Sequence, residues 1–287
     1  MYICFFLFKC YNLFIVGDKV SLFEQWMRLL QTTMEEPLAF GWFHCTCIGI
    51  MILFIIILFR LRHNHSDKQL KIILGVYGIT ALILELLKQL SWSYNIDPTY
   101  NIAKWDFSWY SAPFQLCTTP IFVSIICLFL KKGKLRDSLL SYMAFITIWG
   151  SFTTILLPDS CLIDEILINV HTMWLHLGSF VVSSYLLFSK ELSFSKDNIY
   201  GAISTFIEFA AIALILDIGV YQSGILNGET FDMFYISPYF PKDLPVFMQL
   251  YDLLPYPLYL IGYLIILSIG GVVVYSVTKF IRKKVMK

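Results

Sequence analysis

Residues 38–59 read LAFGWFHCTCIGIMILFIIILF, a run without a single Asp, Glu, Lys or Arg, and Arg60 and Arg62 close it. A helix needs about 20 mostly apolar residues to cross the hydrocarbon core of a bilayer. This run is long enough, and the pattern recurs outward from it. Apolar stretches at 70–90, 111–130, 138–157, 166–188, 200–221 and 257–280 bring the expected number of spans to seven. Of the 287 residues, 58% are hydrophobic and 14% charged, and the mean hydropathy is +0.71. A soluble domain carries about 25% charged residues. The sequence therefore predicts an all-α, polytopic membrane helix bundle. No basic stripe interleaved with aromatics points to nucleic acid.

The first residues, MYICFFLFKCYNLFIV, are apolar with Lys9 inside. They are short for a span and lack the positive start of a signal peptide. We read 1–37 as an N-terminal extension or interfacial helix. Residues 38–287 read as one seven-span membrane domain without internal repeat or linker. Fifteen of the 21 Lys and Arg residues gather at 60–71, 131–136, 190–196 and 279–287, at one set of span ends. Cytoplasmic loops carry the excess of basic residues. The C-terminus is thus expected in the cytoplasm and, with seven spans, the N-terminus outside. The opposite loops are aromatic, as in SWSYNIDPTYNIAKWDFSWY (91–110), which suits the headgroup belt.

The seven cysteines are odd in number and mostly lie in apolar runs, which argues against a disulfide framework. No zinc-ligand spacing is present, and no metal or cofactor is implied. The polar residues of the spans share a depth. His44, Cys117, Asn169 and His171 lie near the outer ends, with His176 about 7 Å deeper at 1.5 Å per residue. Glu85, Lys88 and Asp217 lie near the outer ends of the spans that leave in that direction, and Glu208 sits deeper. A charge at mid-span costs about 2.5–3.5 kcal/mol, so such residues are expected to face the bundle interior or a wet cavity and to serve function. Glu85 and Lys88, three apart, can pair on one helix face. His171 and His176 are separated by about 140° around a helix, which disfavours a two-histidine metal grip.

In SAPFQLCTTP (111–120), Pro113 suits the first turn of a helix. Cys117 would then sit near a helix N-terminus, where the macrodipole favours a thiolate. Pro120 would open the backbone ladder nearby. A neighbouring imidazole could take the thiol proton. The bland alternatives are a packing cysteine and histidines that only bond between helices.

Several stretches resemble one family. APFQLCTTP resembles the LPxxLC signature of the YwaF-like bacterial integral membrane proteins. FGWFH resembles that family's early Phe-and-His segment, and HTMWLHLGSFVVSSYLL its histidine-bearing span. FDMFYISPYFPKDL, with YPLYLIGYL after it, is similar to its aromatic, proline-containing loop and last span. The resemblance runs from about Leu38 to Lys284. Ala112 stands where the signature has Leu, and Asp232 where the late loop has Asn. It implies a multi-pass protein of the bacterial cytoplasmic membrane. The family is in turn similar to a eukaryotic transmembrane group with a thiol-dependent phospholipid acyltransferase. That relation implies Cys117 as nucleophile, a span-5 histidine as base, and a membrane phospholipid or lysophospholipid as substrate. His176 fits the family position and His171 the depth. On this reading Gln115 and Thr118 are oxyanion donors, and His44 or Glu85 orients the base, with Lys88 beside it. The alternative is a small-molecule or proton-coupled transporter or binding protein, in which Glu85, Lys88, Glu208 and Asp217 matter more than Cys117.

Overall fold

The computed structural model describes residues 21–61, 66–97, 102–158, 161–242, 244 and 246–285. The apolar stretch at 1–16 lies outside the described residues. The fold is a helical bundle. A short amphipathic helix, α1 (Leu22–Leu30), precedes the long ones, α2 (Trp42–Leu61) and α3 (Asp67–Ser93). After α3 comes an antiparallel hairpin of β1 (Tyr94–Asp97) and β2 (Ile102–Trp105). Then follow α4 (Thr119–Phe129), α5 (Lys134–Leu156), α6 (Ile166–Phe188) and α7 (Lys196–Gln222). A 3₁₀ turn at Met233–Tyr235, α8 (Phe247–Leu253) and α9 (Tyr256–Val285) complete the order.

Six of these helices, α2, α3, α5, α6, α7 and α9, are long and apolar enough to cross a membrane. The starts of α3 and α7 are set locally, because the hydroxyls of Ser66 and Ser195 accept the backbone N–H groups of Gln69 and Asn198. Helix α5 is the central one. Its middle, Met143–Thr147, is a buried π-helical turn. The displaced Met143 carbonyl accepts the hydroxyls of Thr147 and Ser183, both at 2.9 Å. Helices α2 and α9 are peripheral and expose Ile, Leu, Val and Phe along their length, as lipid-facing helices do.

The seventh crossing differs from expectation. Helix α4 has 11 residues, about 16 Å at 1.5 Å per residue, roughly half the hydrocarbon thickness. Residues 111–118 are turns instead of helix. Pro120, not Pro113, occupies the first turn, where its missing N–H leaves no bond unmade. Contacts at the two ends of the bundle show that the chain nevertheless passes from one to the other. At the basic end Arg136 pairs with Asp67 at 2.5 Å and Lys132 with Glu191 at 3.2 Å. Arg282 there donates to the carbonyls of Leu187 and Leu192. At the opposite end Asp106 N–H bonds Ser93 O, Met34 N–H bonds Asp164 O, and the Gln31 amide bonds Ser91 O and Tyr94 O. Irregular backbone at membrane depth is tolerated where protein covers it.

Candidate functional site

Cys117 lies in the turn segment two residues before α4, half-buried, with a free thiol. The segment is folded by its own side chains. The Thr118 hydroxyl accepts Gln115 N–H and donates to Gln115 O, both at 2.9 Å. The Thr119 hydroxyl donates to Leu116 O at 2.8 Å and meets the Tyr142 hydroxyl at 2.6 Å. Cys117 is thereby held at the head of α4.

Two charged groups of α3 act on the sulfur. Glu85 and Lys88 pair at 2.5 Å, one turn apart, and both are buried. The second carboxylate oxygen of Glu85 meets His171 Nε2 of α6 at 2.6 Å. Glu85, Lys88 and Cys161 all lie within electrostatic reach of the Cys117 thiol. The sequence expectation that Glu85 and Lys88 pair holds, and the pair stands beside the cysteine rather than apart from it. An ion pair at this depth survives because each member has a partner.

His176 faces elsewhere. Its Nδ1 meets the Thr154 hydroxyl of α5 at 3.1 Å, whereas His171 faces α3. The two rings thus look away from a common face, as their spacing requires. Among the described residues, no hydrogen bond joins either ring to the Cys117 sulfur. His44 is buried near the start of α2, and its Nδ1 accepts the Phe40 N–H at 3.2 Å. The residue that orients a histidine is therefore Glu85, on His171. Asn169 closes a local loop through Ile163 N and O.

Three expectations need correction. Gln115 is not poised to donate to a substrate, because its amide NH₂ donates to Asp232 O and its amide oxygen accepts Phe234 N–H, both at 2.8 Å. The Thr118 hydroxyl proton is likewise directed at Gln115 O. Glu208 does not face the interior: it is exposed on α7 and, among the described residues, accepts only its neighbour Ser204 at 2.9 Å. Asp217 is buried, and it accepts Met233 N–H at 2.8 Å, so it anchors a loop.

That loop is the part of the site that sequence reasoning did not place. Residues 232–237 lie against the Cys117 segment, and every backbone N–H from Met233 to Ser237 has a partner. The carbonyls of Tyr235 and Ile236 accept the hydroxyls of Tyr259 and Tyr256 at 2.6 and 2.7 Å. Lys242 bonds Asp232 at 2.6 Å and Ser237 O at 2.7 Å. The only signal in the sequence was the aromatic density of FDMFYISPYF (231–240).

Fold and site together define a polytopic membrane protein with a cysteine and a buried Glu85–Lys88–His171 cluster toward the non-basic end of the bundle. The TMEM164 family pattern matches residues 39–275, and the chain belongs to that family. No curated protein and no solved structure matches the chain.

Proposed function

We propose that the protein is a membrane-embedded lipid acyltransferase or lipid hydrolase, with Cys117 as nucleophile and a histidine of α6, His176 or His171, as base. Within its family it reads as a YwaF-like member of a bacterial cytoplasmic membrane, on the strength of APFQLC at 112–117. The observation that carries the reading is the placement of Cys117. A half-buried thiol precedes a helix N-terminus, with Glu85 and Lys88 in electrostatic reach and His171 bonded to that Glu85. A helix N-terminus and an ammonium both stabilise a developing thiolate. His171 is committed to Glu85, inside a cluster whose charges already balance. His176 holds Thr154 through Nδ1 and leaves Nε2 outside the hydrogen bonds of the described residues. It also stands where the family resemblance puts the base.

In the reaction, the α6 histidine takes the thiol proton and the sulfur attacks the carbonyl carbon of a phospholipid ester. A carbon–sulfur bond forms, the alkoxide of the lysolipid leaves, and the same histidine returns the proton to it. The thioester then passes its acyl group to a lysophospholipid or to water, which regenerates the thiol.

The test is acyl transfer in proteoliposomes from phosphatidylcholine to lysophosphatidylcholine. Cys117→Ala should abolish turnover at normal protein abundance, since losing a nucleophile can cost on the order of a million-fold. His176→Ala and His171→Ala should divide: the variant that removes the base should approach that loss, and its combination with Cys117→Ala should be little worse, because the two act as a unit. Full turnover by Cys117→Ala would end the thiol reading and leave the buried ionic cluster to a binding or transport role.

A further inference from the structure

An ester-cleaving thiol needs a donor for the oxyanion of the tetrahedral intermediate. Gln115 and Thr118 are excluded by the bonds they already make. Three tyrosines lie in electrostatic reach of the Cys117 sulfur: Tyr77, Tyr142 and Tyr235. Tyr77 donates its hydroxyl to Leu175 O at 3.1 Å, and Tyr142 shares its hydroxyl with Thr119 at 2.6 Å. The Tyr235 hydroxyl makes no hydrogen bond among the described residues, and its ring is only partly buried.

The backbone under Tyr235 is unusual. Phe234 and Tyr235 both have φ of 57°, in the left-handed region that bulky residues avoid. Strain of this kind persists only where its surroundings over-determine it. Here they do. Asp217 and Gln115 hold the N–H groups of Met233 and Phe234, and Tyr259 holds the Tyr235 carbonyl. The Phe234 ring is fully buried, against Phe114 and Phe206. The connection to the thiol is short along the chain: Gln115, two residues before Cys117, bonds the residue next to Tyr235. The two adjacent left-handed residues direct Phe234 into the core and leave the Tyr235 hydroxyl, among the described residues, without a hydrogen bond. Cys117 heads the ionisable groups that act on its phenol.

We infer that Tyr235 is the oxyanion donor of the Cys117 reaction, a catalytic residue set in place by the Gln115 and Asp217 clamps on the 232–237 loop. The inference rests on the thiol reading of the site. When the sulfur–carbon bond forms, the carbonyl π pair moves onto oxygen. The phenol donates a hydrogen bond to that oxyanion and keeps its proton. When the π bond re-forms, the lysolipid oxygen leaves with the proton from the α6 histidine, so Tyr235 is unchanged at the end of each half-reaction.

Tyr235→Phe keeps the ring and removes no hydrogen bond that the fold uses, so it separates chemistry from packing. In the phosphatidylcholine proteoliposome assay, kcat should fall about 10²–10³-fold, the usual loss for one oxyanion donor, with KM and thermal midpoint unchanged. Labelled acyl groups released from Cys117 by hydroxylamine should appear correspondingly slowly in a single turnover. Near-normal kcat in Tyr235→Phe, alongside an inactive Cys117→Ala, would overturn this inference and leave the thiol reading standing. A raised KM with kcat intact would also overturn it, because it would make Tyr235 a binding group. An active Cys117→Ala would remove both readings together. If Tyr235→Phe fails to fold, replacement by a fluorinated tyrosine gives the same discrimination: kcat should follow the acidity of the phenol, and indifference to it would overturn the assignment.

Discussion

At the scale of residues, the charge arrangement around Glu85 makes a sharp prediction. Its two oxygens serve different partners, Lys88 at 2.5 Å and His171 at 2.6 Å, and all three groups are buried. Removing one member of a buried ion pair is destabilising by about 3–5 kcal/mol, because the other charge is left uncompensated. Glu85→Gln should therefore lower the thermal midpoint in detergent markedly, and adding Lys88→Met should recover most of the loss. If the double variant is no more stable than Glu85→Gln alone, Lys88 is not the uncompensated charge. Lys88 and Glu85 were legible in the sequence as a spaced pair, and so was the divergence of His171 from His176. Which histidine Glu85 would hold was not, because His171 and Glu85 are 86 positions apart and on different helices. The role of Gln115 was misread for the same reason: a polar residue near a cysteine suggests chemistry, and only the fold shows that the 232–237 loop has taken both ends of its amide.

At the scale of elements, close helix contacts decide what the bundle tolerates. Helices α5 and α7 meet where Gly201 faces Ser138. A methyl group added at Gly201 would lie 2.9 Å from Ser138 Cβ and 3.2 Å from its backbone Cα. Neither atom belongs to a flexible chain end, so the helices themselves would have to move apart. Small residues at such points let backbones approach in the way membrane helices require. Gly201→Ala should destabilise by about 1–3 kcal/mol, the range for overpacking, and Ser138→Gly should relieve part of it. Unfolding midpoints of the two variants and of their combination would check this, and a neutral Gly201→Ala would show that the contact is looser than the geometry implies. The sequence announced the long helices well, because an apolar run of 20 residues has few alternatives. It announced α4 badly. Composition alone does not distinguish a full span from a short helix led by turns, and the Thr118 and Thr119 side-chain bonds that shape those turns have no periodicity to read. The β1–β2 hairpin went unpredicted for a related reason: its aromatic residues also suit a headgroup loop.

At the scale of the whole molecule, the question is which face of the membrane the Cys117 site opens toward. The structure gathers the chain near residues 67, 132, 136, 191 and 282 at one end, through Arg136–Asp67, Lys132–Glu191 and the carbonyl bonds of Arg282. The basic clusters therefore belong to a single face, as the positive-inside rule requires of a cytoplasmic one. The Cys117 segment, the 232–237 loop and the hairpin belong to the other. Each of the six long helices and the α4 crossing reverses direction, so an odd number of crossings separates the start of α2 from the end of α9. The positive-inside rule then predicts a cytoplasmic C-terminus and an outside segment before α2. Reporter fusions joined after Lys134 and after Lys196 should both read cytoplasmic. A membrane-impermeant thiol reagent should reach Cys161, on the loop before α6, from outside intact cells and leave the buried Cys127 untouched. Either fusion reading outside would break the alternation and mean that the α4 segment turns back without crossing. The acyl chemistry proposed for Cys117 would then have to draw its lipids from the opposite leaflet.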